Sequence, residues 1–395
     1  MARLLRVGGL GLSLGAGLWL LAQLLTPRSL SGAEVAAIAV LLGLGGLALF
    51  WLGGKRDGRG RRTALTLLNG YRGTALLCVA TKLGLADLLA SGPRSSAELA
   101  QTLGAHAPSL HRILRGLVAV GLCFEAPDGR FGLTSAGRWL RTDIPGTLRD
   151  QALLAGEEYV GAWGSLLHTV LTGETAFDHA FGMSQWEHRR QHPELGEGFG
   201  VGLARGTTEA VDAILAAYDF APFATIADVG GGHGALVAAI LRAHPAARGI
   251  LVDQPDVVAA AQPDLEAAGV AARCEVVGGS FFEHVPEGAD LCILKSVIHD
   301  WDDERSLALL RNCHRALPAD GTLLLIERIM PVRVDRDPHA VLLDVHMLAL
   351  TGGRERTEEE YRALLTAAGF TPRRVILTTS GFSLIEARPV ELSRA

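Results

Sequence analysis

Three absences narrow the field before any motif is read. The chain lacks a basic excess: 37 Lys and Arg against 42 Asp and Glu leave a net charge of −5 over 395 residues, so nothing global points to nucleic acid or an anionic surface as partner. It lacks paired cysteines. The five, Cys78, Cys123, Cys274, Cys292 and Cys313, are scattered and odd in number, and none stands at metal-ligand spacing, so reduced thiols in a cytosolic compartment are expected. It also lacks any charge in two stretches near the N-terminus, residues 7–25 (VGGLGLSLGAGLWLLAQLL) and 35–54 (VAAIAVLLGLGGLALFWLGG).

At a rise of about 1.5 Å per residue each uncharged run spans roughly 30 Å, one hydrocarbon core. The short polar segment TPRSLSGAE joins them, so residues 1–62 read as a two-helix membrane hairpin. Arg3 and Arg6 precede the first run, five basic residues between Lys55 and Arg62 follow the second, and the loop holds only Arg28. The positive-inside rule then puts both ends, and the rest of the chain, in the cytoplasm. Two other readings compete: a signal peptide cleaved near Ser31-Gly32-Ala33, which leaves the rest inside the cell as well, and a pair of buried core helices.

From Thr63 the pattern turns amphipathic, and residues 63–150 read as a domain of their own. Ser95 or Ser96 can cap a helix with Glu98 near its start, and Pro108-Ser109 opens a second helix. Asp128-Gly129 is a two-residue hairpin turn signal between FEAP and RFGLT. Helix, turn, helix and hairpin make a winged helix. Its second helix could enter a DNA groove with Arg112, Arg115 and Arg130 as contacts, but it is mostly apolar, which suits packing on another subunit or domain better. No nucleic acid is expected.

Residues 151–395 form the third domain. An aromatic-rich stretch, TAFDHAFGMSQWEHRRQHPE, opens it, either as core or as the lining of an apolar pocket. Then ATIADVGGGHG gives a strand ending at Asp228 and alternating Gly230, Gly232 and Gly234 before a helix. Glycines allow a tight turn and close ligand approach, and the helix N-terminus offers free N–H groups. A second strand ends at Asp253, placed to accept hydrogen bonds from ribose hydroxyls. The loop lacks the third glycine of the dinucleotide pattern, which favours a methionine-derived sulfonium nucleoside over a dinucleotide. Strands and helices alternate onward, predicting a mainly parallel sheet with its site at the strand carboxyl ends. Asp228, Asp253, Ser280, Lys295, His299 and Glu327 all fall at or after such ends.

The run from about Thr63 to Pro389 resembles the metal-independent O-methyltransferases of the caffeate, hydroxyindole and bacterial polyketide type. Six anchors occur in the family's order: DVGGGHG, LVDQPDVV, GGSFF, LKSVIHDWDDE, LLLIERIMP and GGRERTEEEYRALLTAAGF. The resemblance implies a Rossmann-like α/β domain that binds S-adenosyl-L-methionine and releases S-adenosyl-L-homocysteine, preceded by a helical dimerisation domain and hence a homodimer. It implies His299 as catalytic base, with Glu327 and Glu355 orienting the imidazole. It places Gly230, Asp253, Phe281 and Lys295 around the cofactor and Trp301 beside the adenine. Ser280 stands where many plant members carry an aspartate at the adenine. Phe177, Met183 and Met347 match acceptor-lining positions, while MLALTGG is one residue shorter than the plant pattern and leaves the acceptor open.

The chemistry that follows is methyl transfer to a hydroxyl of a small acceptor. A phenol of pKa about 10 is scarcely ionised at neutral pH, so a neutral imidazole within reach takes its proton during attack. The hairpin motivates a lipophilic acceptor: a carotenoid, quinone-like compound or polyketide. The acids after His299 (Asp300, Asp302, Asp303) read as helix-start partners rather than ligands, and no metal is expected. His233, inside the glycine loop, reads as a surface variant. Two rivals are a homologue that binds the cofactor for decarboxylation or hydroxylation, and a DNA-binding regulator.

Overall fold

The computed structural model describes residues 60–390. The two uncharged runs, and the hairpin expected there, lie outside the described residues. Among the described residues no helix is long and apolar enough to cross a membrane. Residues 60–68 are helical and belong to an N-terminal unit; a second unit, from Thr74 onward, holds the elements that build the site. The helix over 60–68 and a few short helices are left unnumbered.

After α1 (Tyr71–Lys82), helix α2 (Ser96–Leu103) begins with a capping box. The Glu98 amide donates to Ser95 Oγ, and Glu98 Oε2 accepts from the Ser95 amide at 2.7 Å. This satisfies two amides that the first helical turn leaves free. Helix α3 (Ala107–Ala119) follows. Strands β1 (Cys123–Glu125) and β2 (Phe131–Leu133) pair antiparallel, completing the winged-helix order. Two expectations need correction. The hairpin turn is centred on Pro127-Asp128, not Asp128-Gly129: the Gly129 amide donates to Ala126 O, and Gly129 follows at φ 79°. Proline's fixed φ suits the first central position, and glycine takes the left-handed bulge after it. The apolar face of α3 is also consumed at home. Leu110, Leu114 and Leu117 are buried in one cluster with Leu85, Leu99 and Phe131, so its apolarity reflects its own core rather than a docking surface.

The linking segment holds α4 (Arg149–Leu154), a π-turn over Ala155–Tyr159, α5 (Val160–Gly164), α6 (Leu166–Thr172), α7 (Ala176–Phe181), α8 (Gln185–Gln191) and the 25-residue α9 (Pro193–Ala217). The catalytic-type domain is a seven-stranded sheet: β3 (Thr225–Val229), β4 (Arg248–Asp253), β5 (Cys274–Gly278), β6 (Leu291–Lys295), β7 (Thr322–Glu327), β8 (Phe370–Leu377) and β9 (Ser383–Pro389). The order across the sheet is β5-β4-β3-β6-β7-β9-β8. The first five run parallel. Their near-continuous apolar sequences fit a sheet covered on both faces: every residue of β7 is buried. The last two strands run antiparallel, β9 against β7 and β8 against β9.

Helices α10 (Ala235–Ala243), α11 (Asp303–Ala316), α12 (Pro338–Leu350) and α13 (Glu358–Ala367), with two short unnumbered helices at Pro255–Ala259 and Gln262–Ala267, flank the sheet. The chain winds outward from β3 through β4 and β5, then returns to β6 and β7 on the other side. That reversal opens a crevice between β3 and β6 at the strand carboxyl ends, where such sheets bind ligands. All five cysteines are buried and unpaired, as the sequence suggested.

Candidate active site

The floor of the crevice is the loop after β3. Gly230, Gly232 and Gly234 have φ of 71°, 59° and 78°, a region that only glycine enters freely. The Gly230 amide donates to Val252 O at 2.7 Å, tying the loop to β4. Gly231, not singled out by sequence, is the sterically demanding member. A β-carbon there would stand 2.5 Å from Leu251 Cδ1 and 2.7 Å from the Asp228 carboxyl carbon. On Gly232 a β-carbon would meet open space, so its backbone is open to a ligand. Asp228 is buried just beneath. One of its oxygens has no partner, and burial pushes its pKa up to about 7, against the pull of the Lys295 ammonium.

Asp253, at the end of β4, spends one bond per oxygen on the backbone. Oδ2 accepts from the Gly232 amide at 2.8 Å and Oδ1 from the Gln254 amide at 2.7 Å. Each oxygen keeps a second lone pair. His233 corrects an expectation: its side chain is only 12% exposed. It packs against Gly200 of α9, where a β-carbon would meet Nε2 at 2.7 Å. It ties the loop to α9 instead of decorating the surface.

An aromatic wall follows β5. Half-buried Ser280 precedes buried Phe281, and Phe281, Phe282 and Trp301 meet edge to face, with ring centroids 4.8–6.2 Å apart. Trp301 also stacks on Trp186 at 5.9 Å, and its indole Nε1 is buried without a partner. Asn312 of α11 holds this loop by donating to both the Phe281 and Phe282 carbonyls. Lys295 ends β6, with its ammonium 4.7 Å from the Phe382 ring centre. Burial lowers its pKa, while the Glu327 and Asp228 carboxylates on either side oppose that.

The chain then turns sharply. Ser296 is the one described non-glycine residue with positive φ, 55°, a strained conformation of the kind that clusters at functional sites. The turn aims the Val297 and Ile298 amides at Glu327, whose Oε1 accepts from both at 3.0 and 2.9 Å. His299 comes next. Its Nδ1 lies 3.1 Å from Glu327 Oε2 and 3.3 Å from Glu355 Oε1. It straddles the two, in line with neither, and all three atoms lack a well-directed hydrogen bond. Nε2 lies 3.8 Å from Asp300 Oδ1. Burial alone would depress the imidazole pKa; the charge of Glu327, then of Asp300, outweighs it and holds His299 well above its ordinary value. Asp300 is itself pushed up to about 6, chiefly by burial.

The GGRERT segment locks this turn from behind, through residues that sequence reasoning passed over. A β-carbon on Gly353 would stand 2.1 Å from His299 O, and the Arg354 amide donates to that same oxygen at 2.9 Å. Arg356 is fully buried and donates to the Ile298 and Trp301 carbonyls and to Asp303 Oδ1. Its signal, an arginine amid an acidic helix start, looks in sequence like ordinary surface charge.

The expected acceptor wall is partly assembled. Phe177 has no exposed surface and packs with Ala162 and Leu350, with Phe181 stacked on it at 4.4 Å. Met347 on α12 is buried and Met183 half-buried. Sequence reasoning missed the polar groups beside them. Trp163 Nε1 donates to His346 Nδ1 at 3.1 Å, and Tyr159 meets the His346 ring edge-on at 4.6 Å. Buried Glu158, on the π-turn, accepts from Arg189 Nε and Nη2 and lies 3.2 Å from His188 Nδ1. Among the described residues no cluster of His, Cys, Asp and Glu could hold a metal ion.

Among known protein families, residues 163–371 match the O-methyltransferase domain and residues 65–143 the O-methyltransferase dimerisation domain. A phenazine O-methyltransferase of Lysobacter antibioticus is 46% identical over 82% of this chain and 95% of its own length. The O-demethylpuromycin-O-methyltransferase of Streptomyces alboniger is 42% identical over 82% of this chain and 88% of its own. Among solved structures, an O-methyltransferase from neocarzinostatin biosynthesis, in complex with S-adenosylmethionine and 2-hydroxy-5-methyl naphthoic acid, is 34% identical. It covers 81% of this chain, and this chain covers 96% of it, with a TM-score of 0.74.

Proposed function

The chain belongs to the S-adenosylmethionine-dependent O-methyltransferase family that carries a dimerisation domain, and from that premise we propose that it methylates a hydroxyl on an aromatic secondary metabolite with His299 as base. The observation that carries this reading is the His299 imidazole seated between two buried carboxylates at the switch point of the sheet. The acceptor class follows the relatives, which act on phenazine, naphthoate and mitomycin skeletons.

The crevice fits the donor. The Gly232 side of the loop is open, Asp253 keeps lone pairs for a ribose, and Trp301 Nε1 and one Asp228 oxygen are buried without partners. We assign Asp228, Gly230, Gly232, Gly234, Asp253, Ser280, Phe281, Lys295 and Trp301 to holding it. Bound S-adenosylmethionine supplies an electrophilic methyl group on a sulfonium. The chain supplies orientation and a place for the acceptor's proton. His299 Nδ1 carries a hydrogen toward Glu327 and Glu355, leaving Nε2 as the basic nitrogen once the ring is neutral. Such a base is worth roughly two to four powers of ten in rate. Because the charge of Glu327, then of Asp300, holds the ring's pKa above its ordinary value, turnover rises with pH as that proton leaves.

The active form is a homodimer. In support, Leu167, Val170 and Leu171 form a stripe on α6 at i, i+3 and i+4, each 70–75% exposed. The uncharged runs at 7–25 and 35–54 would hold the catalytic domain at the cytoplasmic face of a bilayer, near lipophilic acceptors. Membrane fractionation of the full chain beside residues 63–395 tests that placement; recovery of both in the soluble fraction removes it. The activity is tested with methyl-labelled donor and a panel of hydroxylated naphthoates and phenazines. Label on an acceptor oxygen is expected, and conversion of the acceptor with the donor left intact points to the rival decarboxylation or hydroxylation chemistry.

A further inference from the structure

Arg189 is the most heavily buried cation near the crevice whose hydrogen bonds do not close. It is 5% exposed. Glu158 engages Nε and Nη2, at 3.1 and 2.8 Å, through one oxygen. The guanidinium carbon sits 3.7 Å over the Phe199 ring, which fixes its plane. Nη1 remains, buried and without a partner. The Tyr159 hydroxyl lies against the same guanidinium, and the Arg189 charge is felt at both Asp300 and His346. Arg189 lies 6.0 Å from the ring centre of Trp186, which stacks on Trp301 after the His299 turn, and the Tyr159 ring that reaches Arg189 meets His346 edge-on at 4.6 Å. A buried N–H left unmade costs about 1–3 kcal/mol, so an orphan in this place points to a ligand atom.

His346 supplies a second donor with a defined hydrogen. Trp163 Nε1–H occupies Nδ1, and burial, then the Arg189 charge, lowers the ring's pKa to about 4. The ring is neutral, so its one hydrogen is on Nε2. Two N–H donors, with the Tyr159 hydroxyl as a third group able to donate, suit a carbonyl-type oxygen. Glu158 already offsets the Arg189 charge, so the subsite suits a polar oxygen on a flat ring as well as an anion.

Resting on the aromatic-acceptor reading above, we propose that Arg189 Nη1 and His346 Nε2 form a specificity subsite for a carboxylate or ring-conjugated carbonyl on the acceptor, distinct from the hydroxyl presented to His299. The pair selects acceptors that carry this second oxygen and orients the hydroxyl. Nothing is transferred at the subsite.

The test is calorimetric binding to the full chain saturated with S-adenosylhomocysteine. The probes are a panel of hydroxynaphthoates, their carboxamides and the parent naphthols. At least one hydroxynaphthoate or its carboxamide is expected to bind tenfold or more tightly than its naphthol. His346→Phe, which keeps an aromatic ring on Tyr159, is expected to erase most of that preference while S-adenosylhomocysteine affinity stays put. Arg189→Gln paired with Glu158→Gln, which removes both charges together, does the same. Equal binding of naphthoate, carboxamide and naphthol by the wild-type chain overturns the subsite alone. So does a preference that survives in both variants. Binding of none of the probes overturns the subsite together with the aromatic-acceptor reading. A preference for carboxylate over carboxamide identifies an anion, and parity identifies a neutral carbonyl.

Discussion

Glu327→Gln isolates what the buried carboxylate does for His299. The amide has nearly the same shape, so its oxygen can keep accepting from the Val297 and Ile298 amides, and the turn should stay in place. The other terminal group changes from an acceptor to a donor, 3.1 Å from an imidazole nitrogen that also carries a hydrogen. Two consequences follow with opposite signs. The ring loses its preferred tautomer, which in a lone Asp–His pair costs about 10⁴ in turnover. Here Glu355 stands 3.3 Å from the same nitrogen, so a smaller loss is expected, roughly 10- to 100-fold, with the full loss reserved for the double amide variant. The ring also loses the charge that most raises its pKa. A base works when unprotonated, so a raised pKa places the acid limb of kcat/KM above pH 6.5, and Glu327→Gln moves that limb to lower pH. Steady-state profiles with one acceptor, wild type beside variant, read both effects. A limb that stays put, or moves up, refutes the assignment of Glu327 as the charge beside the base.

Other expected outcomes separate donor binding from catalysis. Gly231→Ala places a methyl among fully packed atoms of Leu251 and Asp228; overpacking of about 1–3 kcal/mol lowers S-adenosylhomocysteine affinity by calorimetry, roughly tenfold for each 1.4 kcal/mol. Gly353→Ala drives a methyl into the His299 and Asp300 backbone, and kinetics should show kcat falling at least 100-fold with donor affinity changed far less. Arg356→Met strands the Ile298 and Trp301 carbonyls, and denaturant unfolding should show a loss of about 3 kcal/mol. Leu167→Arg with Leu171→Arg puts charge on the exposed stripe of α6, and sedimentation should show monomer where the wild type shows dimer.

Much of the parallel sheet could be read from the sequence, because its signals are local, whereas the grouping of His299, Glu327 and Glu355 was expected only through the family resemblance. Apolar runs ending in Asp253 or Glu327 mark strands and their carboxyl ends, and HDWDDE marks the turn after β6. What stayed hidden depends on contacts between distant segments. Gly231 looks like its neighbours until Leu251 and Asp228 are seen above and below it. Arg356 looks solvated until it is found beneath the Ile298–Asp303 turn, 53 to 58 residues away. Arg189 and His346 come from helices read in sequence as core or as an apolar pocket lining, and their pairing with Glu158 and Trp163 crosses up to 183 residues. The β8–β9 pair escaped notice because its strands mix arginine and glutamate with apolar residues. The Asp128-Gly129 signal misled because Pro127 took the first central position of the turn.

The central claim is that His299 removes the acceptor's proton while the glycine loop holds the donor. The direct test follows labelled methyl from S-adenosylmethionine to a hydroxynaphthoate with wild type and His299→Ala, each first shown by calorimetry to bind S-adenosylhomocysteine. Equal affinity for the product is expected in both proteins, with label transfer slowed by roughly 10² to 10⁴ in the variant. Transfer by His299→Ala at a rate near wild type would contradict that claim.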